Sequence, residues 1–142
     1  MDPNEIANLM LGQPRPTRWI DLEGHRFEVV ALSQADYSRI RQGAKVITTE
    51  GGKLVERYSI NRIASGLLEG VVNWEGVTAA AFPQSRQLEQ LNDEDRNRPL
   101  PFSPGLLQLL VDDRPALFDS LSLAVRDYHV EYVEGLTADL GN

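Results

Sequence analysis

The sequence predicts an α+β fold, mostly α, with an N-terminal β-hairpin packed on a bundle of about four helices. Three observations predict it. Strand-forming residues flank Glu23 and Gly24 between Trp19 and Val30. From Ser33 onward apolar residues recur at intervals of three and four, the period of a helix with one buried face. Those runs are punctuated by caps and breakers at Gly51–Gly52, around Trp74, and at Ser103–Pro104.

A chain of 142 residues is of a size that makes one domain with a modest core. The division expected is a flexible arm over 1–16, one mostly helical domain over 17–134 with a polar loop near 83–98, and a tail over 135–142. Hydrophobic residues at 42% and charged residues at 25% match ordinary globular usage, so the middle should fold. Without cysteine there is no disulfide framework, and a reducing cytoplasm is the natural compartment. A net charge of -7 opposes nonspecific attraction to nucleic acid or anionic lipid, which need a positive field. No apolar run approaches the roughly 20 residues of a membrane span, and Asp2 and Glu5 stand where an export signal carries positive charge. Neither nucleic acid nor membrane is an expected partner.

In order, Met1 to Pro16 mixes Ile6, Leu9, Met10 and Leu11 with three prolines, which suits an arm that orders on a partner. The hairpin follows, and because a lone hairpin is marginal in water its apolar side must meet helices or another sheet edge. Ser33 with Asp36 has the form of a helix N-cap. Tyr37, Ile40, Ala44 and Ile47 make one stripe on that helix, which closes over Thr48–Gly52. A second helix spans about Leu54 to Val72, with Ile60, Ile63, Leu67 and Val71 facing the core. Gly66 and Gly70 on it are expected to reflect ordinary packing, since close small-residue contact is chiefly a membrane feature. Trp74 folds back over its end. After the polar stretch, Ser103 and Pro104 start a leucine helix from Leu106 to Val111, nearly apolar all round and therefore either buried or shared with a partner. Past Asp112, Asp113 and Pro115 a last helix places Leu117, Leu121, Val125, Tyr128 and Tyr132 on one stripe.

No reaction centre is visible. His25 and His129 fall on the hairpin and on a distant helix, no serine has a nucleophile elbow, and no phosphate-cradling glycine loop or calcium loop occurs. The expectation is a non-enzyme with no catalytic residue, cofactor or metal. Acids are many, but a chain of this charge carries them on its surface anyway.

The run Val71, Val72, Asn73, Trp74, Glu75, Gly76, Val77 is followed by Pro99, Leu100, Pro101, Phe102, Ser103, Pro104, then a leucine helix, then aspartate and proline before the last helix. This order resembles the tail assembly chaperones of long-tailed bacteriophages over about Thr17 to Tyr128. The polar insert Gln84 to Arg98 departs from the family pattern, in which a shorter turn stands there. The resemblance implies a protein of the host cell cytoplasm that coats the phage tape-measure protein, helps recruit the major tail protein to the growing tube, and leaves before the tail is finished. Self-association along the client is a further implied mode. The residues expected to meet a partner are Trp74, Phe102, Leu106, Leu107, Leu110, Leu117 and Leu121. The alternatives are a structural minor tail or head-tail connector protein of the particle, and an unrelated small-molecule enzyme.

Overall fold

The computed structural model of the chain describes residues 1–6, 15–82 and 86–141. The apolar part of the expected arm, Leu9 to Leu11, lies outside the described residues, as does the start of the polar loop at 83–85. The fold is α+β, with two small antiparallel sheets and helices over more than half its length.

Strands β1 (Thr17–Leu22) and β2 (His25–Val30) pair antiparallel from Thr17 opposite Val30 to Leu22 opposite His25. The two-residue turn between them has φ 49° at Glu23 and 81° at Gly24, the doubly left-handed turn whose twist matches a hairpin. The hairpin does not stand alone. A third strand, Val71–Glu75, pairs antiparallel with β2 and gives the order β1-β2-third strand, with an irregularity between Glu28 and Val29.

Helix α1 (Gln34–Gly43) has the expected cap: Asp36 N–H donates to Ser33 Oγ, and Ser33 N–H donates to the Asp36 carboxylate. It stops at Gly43, short of the expected end. Strands β3 (Lys45–Glu50) and β4 (Lys53–Tyr58) form a second hairpin where spacing places helix, so Ile47 is a strand residue, as are Leu54 to Tyr58. The physical reason is local. Val46, Ile47, Thr48 and Thr49 are four consecutive β-branched residues, stiff in a helix, and Gly51 and Gly52 turn the chain at φ 58° and 78°. Ile47 shares the helical period with Tyr37 and Ile40 by coincidence.

Helix α2 (Ile60–Leu67), capped by Ser59, passes through a 3-10 turn (Leu68–Gly70) into β5 (Val71–Glu75). Val71 and Trp74 are therefore strand residues of the main sheet rather than the end of a helix. Gly66 and Gly70 permit close approach after all. A Cβ on Gly66 would lie 2.5 Å from Ile40 Cγ2 of α1, and one on Gly70 would lie 2.6 Å from Val125 Cγ1. Both neighbours are β-branched, so they cannot rotate away cheaply.

The polar stretch holds single turns: a 3-10 turn (Ala79–Ala81), α3 (Arg86–Glu89), and α4 (Asp93–Arg96) capped by Asn92. Helix α5 (Pro104–Asp112) starts on Ser103, whose Oγ accepts from Leu106 N–H, with Pro104 where its missing N–H costs nothing. Helix α6 runs from Pro115 to Gly141, so the expected tail at 135 is helical; Thr137 Oγ donates to the Val133 carbonyl across Gly135. The core gathers Phe27 and Val29 of β2, Ile40, Leu67, Trp74, Leu110 and the α6 stripe Leu117, Leu121, Val125 and Tyr128.

A candidate interaction surface

The two halves of the sequence motif meet in space. Trp74 Nε1–H donates to the Leu100 carbonyl at 2.8 Å. The Leu100 N–H donates to the Val77 carbonyl at 2.8 Å, and Thr78 bridges Pro99. The Trp74 ring takes Phe102 edge-on at 5.2 Å and Phe82 at 6.4 Å, both T-shaped, the arrangement ring quadrupoles favour. A tryptophan, the glycine turn at Gly76 (φ 72°) and a proline-flanked phenylalanine thus form one clamp between β5 and the start of α5.

That clamp is internal. Trp74, Leu107, Leu110, Leu117 and Leu121 are all buried, and Phe102 and Leu106 are half-buried against the core. As folded, these seven residues hold the protein together and leave little to offer a partner. On α5, expected to be enclosed or shared, the large apolar side chain that stands well out is Leu109, 54% exposed. The stripe that reads from sequence as a contact face is the core face, because one apolar stripe per helix is what a small core consumes.

The bare apolar surface lies elsewhere. Ile47 is 63% exposed, Leu54 79%, and Ile60, just past the arm, 81%. The β3–β4 hairpin is a two-stranded sheet of its own, joined to no other strand. Pairing of Ile47 with Glu56 and Thr49 with Leu54 puts Ile47, Leu54 and Tyr58 on one face. Arg41 of α1 lies over the Tyr58 ring at 4.6 Å, and Lys45 binds Glu56 at 3.1 Å on the same face. On the other face Arg57 grips Glu50 through two hydrogen bonds of 3.0 and 2.8 Å. The base is pinned where Ser59 N–H donates to the Ala44 carbonyl.

The two histidines are far apart in role. His129 is buried on α6; its Nδ1 donates to the Leu32 carbonyl at 2.6 Å and its ring stacks on Tyr37 at 4.7 Å. His25 accepts at Nε2 from Arg114, whose other amino group donates to Glu23. Burial, then the Arg114 charge, lowers its pKa, with Glu23 opposing. A cavity of about 320 Å³ opens between α2, the following 3-10 turn and α5, over a floor of Leu68, Val71 and Leu107 with Ser65, Glu69 and Gln108 at its edge. Among the described residues no group of three or more acids and histidines is placed to hold a metal, and no helix is long and apolar enough to cross a membrane.

The arm is what sequence reading missed, and its signal was present in the β-branched run before a Gly-Gly pair. No family model, curated protein or solved structure matches this chain.

Proposed function

We propose that this chain is a tail assembly chaperone of a long-tailed phage, which binds the tape-measure protein in the host cytoplasm, helps tail-tube subunits assemble, and makes or breaks no bond. The observation that carries the reading is the β3–β4 arm, which holds Ile47 and Leu54 in water on one face. Covering such a side chain is worth about 1.5–3 kcal/mol, and a folded chain that leaves two of them bare on one face of a hairpin has contact area in reserve. A long apolar client of helical segments suits that surface, and the acidic remainder of the chain keeps the coated complex in solution. The order of motif segments supports the same family, and in this fold those segments make one clamp around Trp74.

The second reading, a permanent minor tail or connector protein, is favoured by the enclosure of α5, which leaves less greasy helical surface than a chaperone would carry. Co-expression with the tape-measure protein and affinity capture tests the first. Capture that Ile47→Asp with Leu54→Asp abolishes, together with absence of the chain from purified virions, is the expected result. Failure to capture the tape-measure protein, with the chain present in virions, would give the protein to the second reading.

A further inference from the structure

A strand at the edge of a sheet exposes a row of backbone donors and acceptors, and folded chains blunt such edges with charges, bulges or cover. Among the described residues four strands stand at an edge, β1 and β5 of the larger sheet and β3 and β4 of the arm. Strand β1 carries Arg18 and Asp21, and β4 carries Lys53, Glu56 and Arg57. At β5 the pairing is irregular, and just beyond it the Val77 carbonyl takes the Leu100 N–H. Strand β3 has none of these protections. From Val46 to Thr49 it is uncharged and β-branched, it holds no proline, and its pairing with β4 is regular from Lys45 to Glu50.

The free groups of that edge follow from the register. The two-residue turn makes Glu50 and Lys53 a hydrogen-bonded pair, and the bond from Ser59 N–H to the Ala44 carbonyl marks the same series at the base. Val46 and Thr48 therefore spend their backbone groups on β4, while Ile47 and Thr49 turn theirs outward. Their side chains lie on the face that holds Leu54, so a residue added outside them extends that apolar face. One charge nearby is also unspent. Glu56 is held by Lys45 and Glu50 by Arg57, whereas Arg41, exposed in the last turn of α1 just ahead of β3, stacks on Tyr58 and meets no carboxylate among the described residues.

We propose that β3 receives an extended segment of a partner protein as a third strand of the arm, with alternate apolar side chains joining Ile47 and Leu54 and a carboxylate at its C-terminal end beside Arg41. Antiparallel addition carries that end to the base of the hairpin, where Arg41 stands. A second copy of this chain is the poorer occupant, because its arm brings no unheld acid to Arg41. The inference rests on the arm being the contact surface, as in the function proposed above. It adds that the stretch held there is extended, whatever form the client takes elsewhere.

The probe is a fluorescein-labelled, C-terminally amidated heptapeptide that alternates threonine and valine and ends in glutamate, titrated against the full chain by fluorescence anisotropy. Saturable binding is the expected result. Thr49→Pro removes one outward N–H and leaves the ladder to β4 and the apolar face in place, so it weakens the probe about tenfold with unchanged circular dichroism. Glutamine in place of the probe's glutamate weakens binding about 2–5-fold to the wild type and has no effect on Arg41→Gln. Probes N-methylated at the threonines or at the valines leave the protein untouched; only one set of amides faces β3, so one probe binds and the other does not. On binding, the Ile47 and Thr49 amides gain protection from hydrogen exchange. No binding up to the probe's solubility limit, equal binding of the two methylated probes, or no added protection at Ile47 and Thr49 overturns the proposal. A wild type that gains mass with concentration, and loses that gain in Thr49→Pro, gives the edge to a second copy and overturns it too. Tape-measure capture that survives Thr49→Pro but not Ile47→Asp with Leu54→Asp removes strand addition and leaves the chaperone reading in place.

Discussion

At the scale of single residues, the contact at the first hairpin turn is sensitive to pH. Arg114, between α5 and α6, donates to both His25 and Glu23, tying the β1–β2 turn to the helices. An Arg donor to Nε2 requires the tautomer with its proton on Nδ1, and that Nδ1 is buried with no hydrogen-bond partner among the described residues. Protonating His25 sets a second positive charge 2.9 Å from the guanidinium. The folded pKa lies below the ordinary 6.5, so between the two values the unfolded chain binds the proton and the folded chain does not. Stability is therefore undiminished above the ordinary value and falls as pH drops through it toward the folded pKa. Asp36 acts in a more acidic window. Burial pushes its pKa up, but the Ser33 hydrogen bonds and Arg15 outweigh that and lower it, so its contribution is present above the ordinary carboxylate range and is lost as pH falls through the folded value. His25→Gln, which still accepts from Arg114 and cannot be protonated, should flatten the dependence near neutral pH. Urea midpoints at about pH 8 and about pH 5 check this, and a variant as pH-sensitive as the wild type would remove His25 from the account.

At the scale of elements, the β3–β4 arm is separable from the body. A two-stranded hairpin without a packed face is marginal by itself, and this one has its largest side chains in water and its base closed by the Ala44–Ser59 hydrogen bond. Its amides should exchange with solvent faster than those of β2, which is paired on both sides. Replacing residues 46–57 with a two-glycine link should leave the helical circular dichroism intact and shift the thermal midpoint by only a few degrees, about 2–4 °C. Loss of the fold on that excision would mean the arm holds the core. How much of the elements could be read from sequence follows from competing local signals. The first hairpin, the Ser33 and Ser103 caps and the α6 stripe were legible, since each rests on neighbours in the chain. The second hairpin was overlooked despite its β-branched run before Gly51 and Gly52, and β5 was not legible, because Ile47 and Val71 also fit a helical period and a short apolar run cannot choose between the two by spacing alone.

At the scale of the whole molecule, one contiguous core runs from Phe27 to Tyr128 and excludes the arm. Trp74 stands where β5, the Pro99–Phe102 segment and α5 converge, so its removal acts on all three. Trp74→Ala should cost about 3–5 kcal/mol and move a single unfolding transition, in which tryptophan fluorescence and far-ultraviolet circular dichroism coincide. Transitions that separate would show that the sheet and the α5–α6 pair melt independently.

The sequence by itself determined which stretches form the first hairpin, where α1, α5 and α6 begin, and which α6 residues face inward, because caps, turn glycines and apolar spacing act within a few residues. Only the tertiary structure decided that Val71–Glu75 joins β2, that Gly66 and Gly70 receive Ile40 and Val125, and that the leucines offered to a partner are consumed by the core. Those outcomes depend on pairings between residues far apart in the chain. Which apolar face is left in water is settled only after the others have found their neighbours.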